Sequence, residues 1–166
     1  MIIKIKKTLS KNNPNSISRA EDLYLLYEEN YKLFETKILL SFKDIKGKET
    51  ETNNHIELLF SDLELPPIKI IIKTISKYTL DCSMHYDQSS YNHSSINIFP
   101  FRINFRVFKD ANIIEAQTIE DSNNNFSINT EKRSVKKTEI NIMDQKLAIN
   151  SLLHKWLTMI NHHYCK

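Results

Sequence analysis

Two groups of polar side chains fall where a plain structural domain carries none. Over residues 101–117, FRINFRVFKDANIIEAQ, alternation sets Arg102, Asn104 and Arg106 on one face of a strand. A turn at 109–112 returns the chain so that Phe108 meets Ile113 and Arg106 faces Glu115, with Gln117 beyond it across from Asn104. Near the end of the chain, Ile142, Ile149, Leu153, Leu157, Ile160 and Tyr164 form the apolar stripe of a helix, and Lys146 and Asn150 project onto that same stripe one turn apart. A charge turned toward a core needs a partner or a task. Brought together, Arg106 and Lys146 could hold a small anion and Glu115 could act as acid or base beside it. Tyr78 and Thr79 from a neighbouring turn would complete a polar concavity. Asn30 is the third such residue, lying inside the helical stripe Leu23, Leu26, Tyr27, Tyr31, Phe34 and Ile38.

Other residues capable of chemistry have plain explanations. His162, His163 and Cys165 lack a fourth ligand and the spacing of a zinc site, so they read as a helix end. His85, Asp87 and His93 flank a polar stretch, and neither serine nor cysteine shows a nucleophile elbow. Gly47 is the only glycine. Phosphate-cradling loops need glycine where backbone approaches ligand, so a P-loop and a dinucleotide fingerprint are excluded. Neither a metal nor a cofactor is expected. Turns that need positive φ must use Asn or Asp, and Asp110 and Asn112 are placed for that.

The elements that position these residues are legible. Over residues 68–87, IKIIIKTISKYTLDCSMHYD, two strands meet at a tight reversal. A reversal centred on Lys77 sets Ile72 opposite Cys82, Ile70 opposite Met84 and Ile68 opposite Tyr86, with Lys73 opposite Asp81. A slip of one residue would turn the apolar row outward, so this register and its odd-numbered loop are strongly preferred. Residues 56–60 alternate as a further strand before Pro66-Pro67. Ser18 with Glu21 forms a capping-box pattern that starts a helix ending between Glu35 and Phe42, and residues 43–54 read as a loop. Asn141 with Asp144 can start the last helix. Residues 120–141, with the basic run KRSVKK at 132–137, read as a long loop. The fold class is therefore α+β: an antiparallel sheet of about five strands, a meander of hairpins, packed by an N-terminal and a C-terminal helix. Residues 1–17 are expected to be a flexible tail and 18–166 a single domain.

Composition narrows the function. With 166 residues the chain can bury about 70% of its unfolded surface without staples. Two cysteines make no disulfide framework, and no apolar run approaches a membrane span. The apolar part of MIIKIKK is short for a signal sequence. A cytoplasmic protein without a membrane partner is expected. A net charge of +3 is weak support for nucleic-acid binding, which ranks third, resting on the 132–137 cluster with Arg102 and Arg106.

Four motifs in order carry a family resemblance: YEENY at 27–31, SKYT at 76–79, RVFKDANIIEA at 106–116 and DQKLAINSLLHKWL at 144–157. Together they resemble the YqiB-like family of proteobacterial proteins, a domain of unknown function, over residues 20–164. Lys77 stands where that family has an arginine before Tyr-Thr, and Phe108-Lys109 where Tyr-His is usual. The resemblance implies the fold and the polar positions and gives no activity. The leading expectation is a non-catalytic binding or regulatory module that recognises a protein or small ligand through Asn30, Tyr78, Thr79, Arg106, Glu115, Lys146 and Asn150. The alternative is an enzyme acting on a small anionic substrate.

Overall fold

A computed structural model describes residues 14–46, 55–62, 65–87, 101–121, 127–129 and 139–164. Six strands form one antiparallel sheet in sequence order: β1 His55–Phe60, β2 Ile68–Thr74, β3 Thr79–Tyr86, β4 Phe101–Phe108, β5 Ile113–Asp121 and β6 Ser127–Asn129. Helix α1 spans Pro14–Phe34, continues through a π-helical stretch Glu35–Leu39 into α2 Leu40–Lys46, and helix α3 spans Glu139–His163. This is the helix-flanked antiparallel meander that the alternation predicts. The expected tail lies outside the described residues as far as residue 13.

The β2–β3 register is the predicted one: Ile72 faces Cys82, Ile70 faces Met84, Ile68 faces Tyr86 and Lys73 faces Asp81. Backbone bonds close the reversal, with Ile75 N and Ser76 N both donating to Thr79 O at 3.1 Å. At the next turn Phe108 faces Ile113, and Asn112 takes φ 55°. That is the left-handed region, which Asn tolerates in place of glycine. One pairing departs from expectation. The β4–β5 register shifts between Asn104 and Phe105, so Asn104 faces Thr118 and not Gln117. The bulge keeps both Ala116 and Ile119 buried although they stand three positions apart, an odd spacing that would put them on opposite faces of a regular strand.

The helices differ from expectation at their ends. Helix α1 begins four residues before Ser18, at Pro14, consistent with proline's fitness for the first helical turn. The helical path runs on to Lys46, where a loop was expected from residue 43. The π-helical stretch rotates the inward face, so that Ile38, Leu39 and Phe42 are all buried. Helix α3 begins at Glu139, two residues before Asn141. Three residues of the expected 120–141 loop form the short strand β6 beside β5.

One face of the sheet carries the core. Ile68, Ile70, Ile72, Leu80, Met84, Ile103, Phe105, Val107 and Ile114 are buried against Phe34, Ile38, Leu153 and Leu157 of the helices. Phe34 meets Phe105 edge-on at 5.8 Å between centroids, and Tyr86 packs on Trp156 at 4.9 Å. Tyr164 fixes the end of α3 by donating its hydroxyl to Pro66 O at 2.6 Å. The opposite sheet face is uncovered by these helices and mixed in polarity, with Glu57, Lys69, Asp81, Arg102 and Arg106 along it.

Candidate functional site

Polar contacts between α1 and α3 advance together along both helices: Arg19 with Asp144, Asn30 with Asn150, and Leu33 O with Asn161. The two helices therefore run side by side in the same direction, and both meet β5. At that junction Glu115 is the focus. Its Oε1 accepts from Lys146 Nζ at 2.7 Å and from the Tyr27 hydroxyl at 3.1 Å. The pair is partly open to solvent, with 29% of the Lys146 side chain and 26% of Glu115 exposed. Burial, with the charge of Glu115 and its hydrogen bond behind it, pushes the Tyr27 phenol well above its ordinary value, so Tyr27 remains a donor.

Beneath the ion pair lies a buried polar layer. Asn30 and Asn150 are wholly buried. Asn150 Oδ1 accepts from Ala116 N at 2.8 Å, while its Nδ2 donates to Lys146 O at 2.8 Å. Asn30 Nδ2 donates to Asn150 O at 3.2 Å, and Asn30 Oδ1 lies 3.0 Å from His154 Nδ1. The position of Ala116 explains why an asparagine is needed there. Strand β6 pairs with Thr118, Ile119 and Glu120, and among the described residues no strand lies beside the edge of β5 before Thr118. An amide on α3 supplies the acceptor that a neighbouring strand would have given.

The predicted residues divide into three groups. Asn30, Glu115, Lys146 and Asn150 converge at the helix–sheet junction. Arg106 faces Glu115 in the strand pairing, but its Nε donates to Asp81 Oδ1 at 2.8 Å on the uncovered sheet face. Tyr78 and Thr79 sit at the β2–β3 turn, where Tyr78 is half exposed and its carbonyl accepts from Lys109 N at 2.8 Å. Thr79 faces Phe108, two positions beyond the Asp81–Arg106 pair. No described hydrogen bond or ion pair joins these two residues to Glu115 or Lys146.

Sequence reasoning missed Tyr27, His154 and Asp81. The first two had a readable signal, since His154 continues the four-residue spacing of Lys146 and Asn150, and Tyr27 stands three residues before Asn30. Asp81 was placed against Lys73, whereas its other neighbour, Arg106, depends on the β3–β4 pairing across residues 88–100. Among the described residues no group of three or more His, Cys, Asp or Glu is placed to hold a metal ion. Cys165 and His93 lie outside the described residues.

The architecture is thus a helix-flanked antiparallel sheet with a satisfied polar seam at one edge, and among the described residues no helix is long and apolar enough to cross a membrane. The family described as "Protein of unknown function (DUF1249)" matches residues 46–165, and the chain belongs to it. The matched region holds every strand and α3 but leaves Tyr27 and Asn30 outside. No curated protein and no solved structure matches the chain.

Proposed function

We propose that the chain is a non-catalytic binding or regulatory module, a YqiB-like cytoplasmic protein of proteobacterial type. It recognises a protein segment or small ligand at the notch where α1, β5 and α3 meet. The observation that carries this reading is the half-open Glu115–Lys146 pair seated on a fully bonded buried layer. Asn30 and Asn150 fix the backbone beneath the pair, so its charges are presented in one geometry without ordering cost at the moment of binding. Arg106, Tyr78 and Thr79 form a flanking surface on the adjoining strands.

Binding is favoured over catalysis because the cations are already engaged. Lys146 is held by Glu115 and Arg106 by Asp81. An enzyme using both to grip an anion would first have to break two ion pairs, and Glu115 would have to release Tyr27 and Lys146 before moving a proton.

The test is quantitative affinity capture and a small-molecule thermal-shift panel on wild type, Lys146→Ala and Glu115→Gln, with Lys155→Ala on the exposed side of α3 as control. The expected result is a partner or ligand retained by wild type and Lys155→Ala and lost by both notch variants while they remain folded. An identical partner and ligand profile for all four folded proteins overturns the reading. Turnover of a small anion that disappears in Glu115→Gln supports the enzyme alternative instead.

A further inference from the structure

On the uncovered sheet face, well away from the notch, three basic side chains stand in one cross-strand row. Lys69 of β2 faces His85 of β3, and His85 faces Arg102 of β4. With strands about 4.8 Å apart, Lys69 and Arg102 flank His85 on either side. The two permanent charges on either side of the ring present positive potential to an anion placed over the centre of the row. Among the described residues the acidic groups near the row are Glu57 of β1, which holds Lys69 at 3.1 Å, Glu120 of β5, which faces Arg102, and Asp87, two residues beyond His85.

A second observation falls on the same residue. Among the described residues, His85 Nδ1 is buried without a hydrogen-bond partner. Orphan buried polar atoms are rare in proteins, and each calls for an explanation, of which a bound ion is one. A hollow of about 280 Å³ opens over the next same-face row of β3 and β4, lined in part by Asp81, Ser83, Asn104 and Gln117. Ser83 lies two residues from His85 along β3 and therefore on the same face.

We propose that this row is a binding site for a small phosphate monoester, the phosphate held by Lys69, His85 and Arg102 and the polar body of the molecule seated in the hollow over Ser83, Asn104 and Gln117. The site is independent of the notch and needs neither Glu115 nor Lys146.

The electrostatics make the occupancy readable. Burial lowers the His85 pKa from its ordinary 6.5, Arg102 and Lys69 lower it further, and Asp87 and Glu57 oppose them. A bound phosphate adds negative charge against the ring, so His85 takes up a proton as the ligand binds and affinity rises as pH falls.

The experiment follows the His85 ring resonance through a pH titration with glycerol phosphate, with inorganic phosphate, and with chloride at matched ionic strength. The expected result is a His85 midpoint raised by glycerol phosphate relative to chloride, with a smaller rise from inorganic phosphate. Arg102→Ala, at an exposed position, should weaken glycerol phosphate binding about tenfold, one charge-assisted hydrogen bond being lost. Notch variant Lys146→Ala should bind like wild type. An identical midpoint in all three salts overturns the proposal, as does an equal response in wild type and Arg102→Ala. Phosphorus line broadening on the same samples gives a second reading that does not depend on the histidine.

Discussion

Asn150 is the residue on which three elements depend. One side chain satisfies the Ala116 amide of β5 and the Lys146 carbonyl of its own helix, and its backbone oxygen receives Asn30 of α1. Asn150→Ala leaves the Ala116 N–H buried without an acceptor, which costs about 1–3 kcal/mol. Urea unfolding should show that loss as a lower midpoint with an unchanged slope. A loss within experimental error would mean that water replaces the amide oxygen. His85 sets a second expectation at this scale. Its folded pKa is depressed, so the neutral ring favours folding above the ordinary 6.5, and that contribution is lost as pH falls through the lowered value. Stability of the ligand-free protein should decline over that window, and His85→Gln should flatten that part of the curve. A wild-type and variant pH profile that run parallel would remove His85 as the cause.

At the scale of elements, the helix–sheet seam separates what fixes geometry from what remains open. The Glu115–Lys146 pair is more than a quarter exposed on both sides, so its coupling should be small, below about 1 kcal/mol. A double-mutant cycle with Glu115→Gln and Lys146→Met measures it, and a coupling of several kcal/mol would assign the pair a structural role instead of a binding one. The seam also marks how far the chain could be read in advance. The β2–β3 register was legible because alternation admits one pairing that buries Ile68, Ile70 and Ile72 together. The inward aim of Lys146 and Asn150 followed from helical spacing alone. The β4–β5 bulge was written in the three-position spacing of Ala116 and Ile119, but the polar pair Gln117-Thr118 hid which residue was extra. Strand β6 spans too few residues for a period to show. Asp81 as the partner of Arg106 needed a long-range pairing that local pattern does not specify.

The whole molecule raises a question of where the folding unit begins. The family match starts at residue 46, after α1 and most of α2, yet these helices are no accessory. Phe34 and Ile38 are wholly buried, and Tyr31, Leu39 and Phe42 nearly so, all within the cluster that covers Ile114, Phe105 and Leu153. Without them one flank of α3 and the edge of β5 would meet water, and Asn150 would lose its contact with Asn30. Each large core side chain contributes roughly 1.5–3 kcal/mol by burial, so five of them match or exceed the net stability of an ordinary domain, about 5–15 kcal/mol. A protein reduced to residues 46–166 should therefore fail to fold to a unique state: poorly dispersed amide resonances, dye binding to exposed apolar surface and no cooperative thermal transition. Adding a peptide of residues 14–45 in trans should restore dispersion in part, because the missing surface is one continuous helical face. A well-dispersed spectrum from the shortened chain alone would show that the sheet and α3 close their own core. The N-terminal helices, and with them Tyr27 and Asn30 of the notch, would then be an attachment to a domain complete without them.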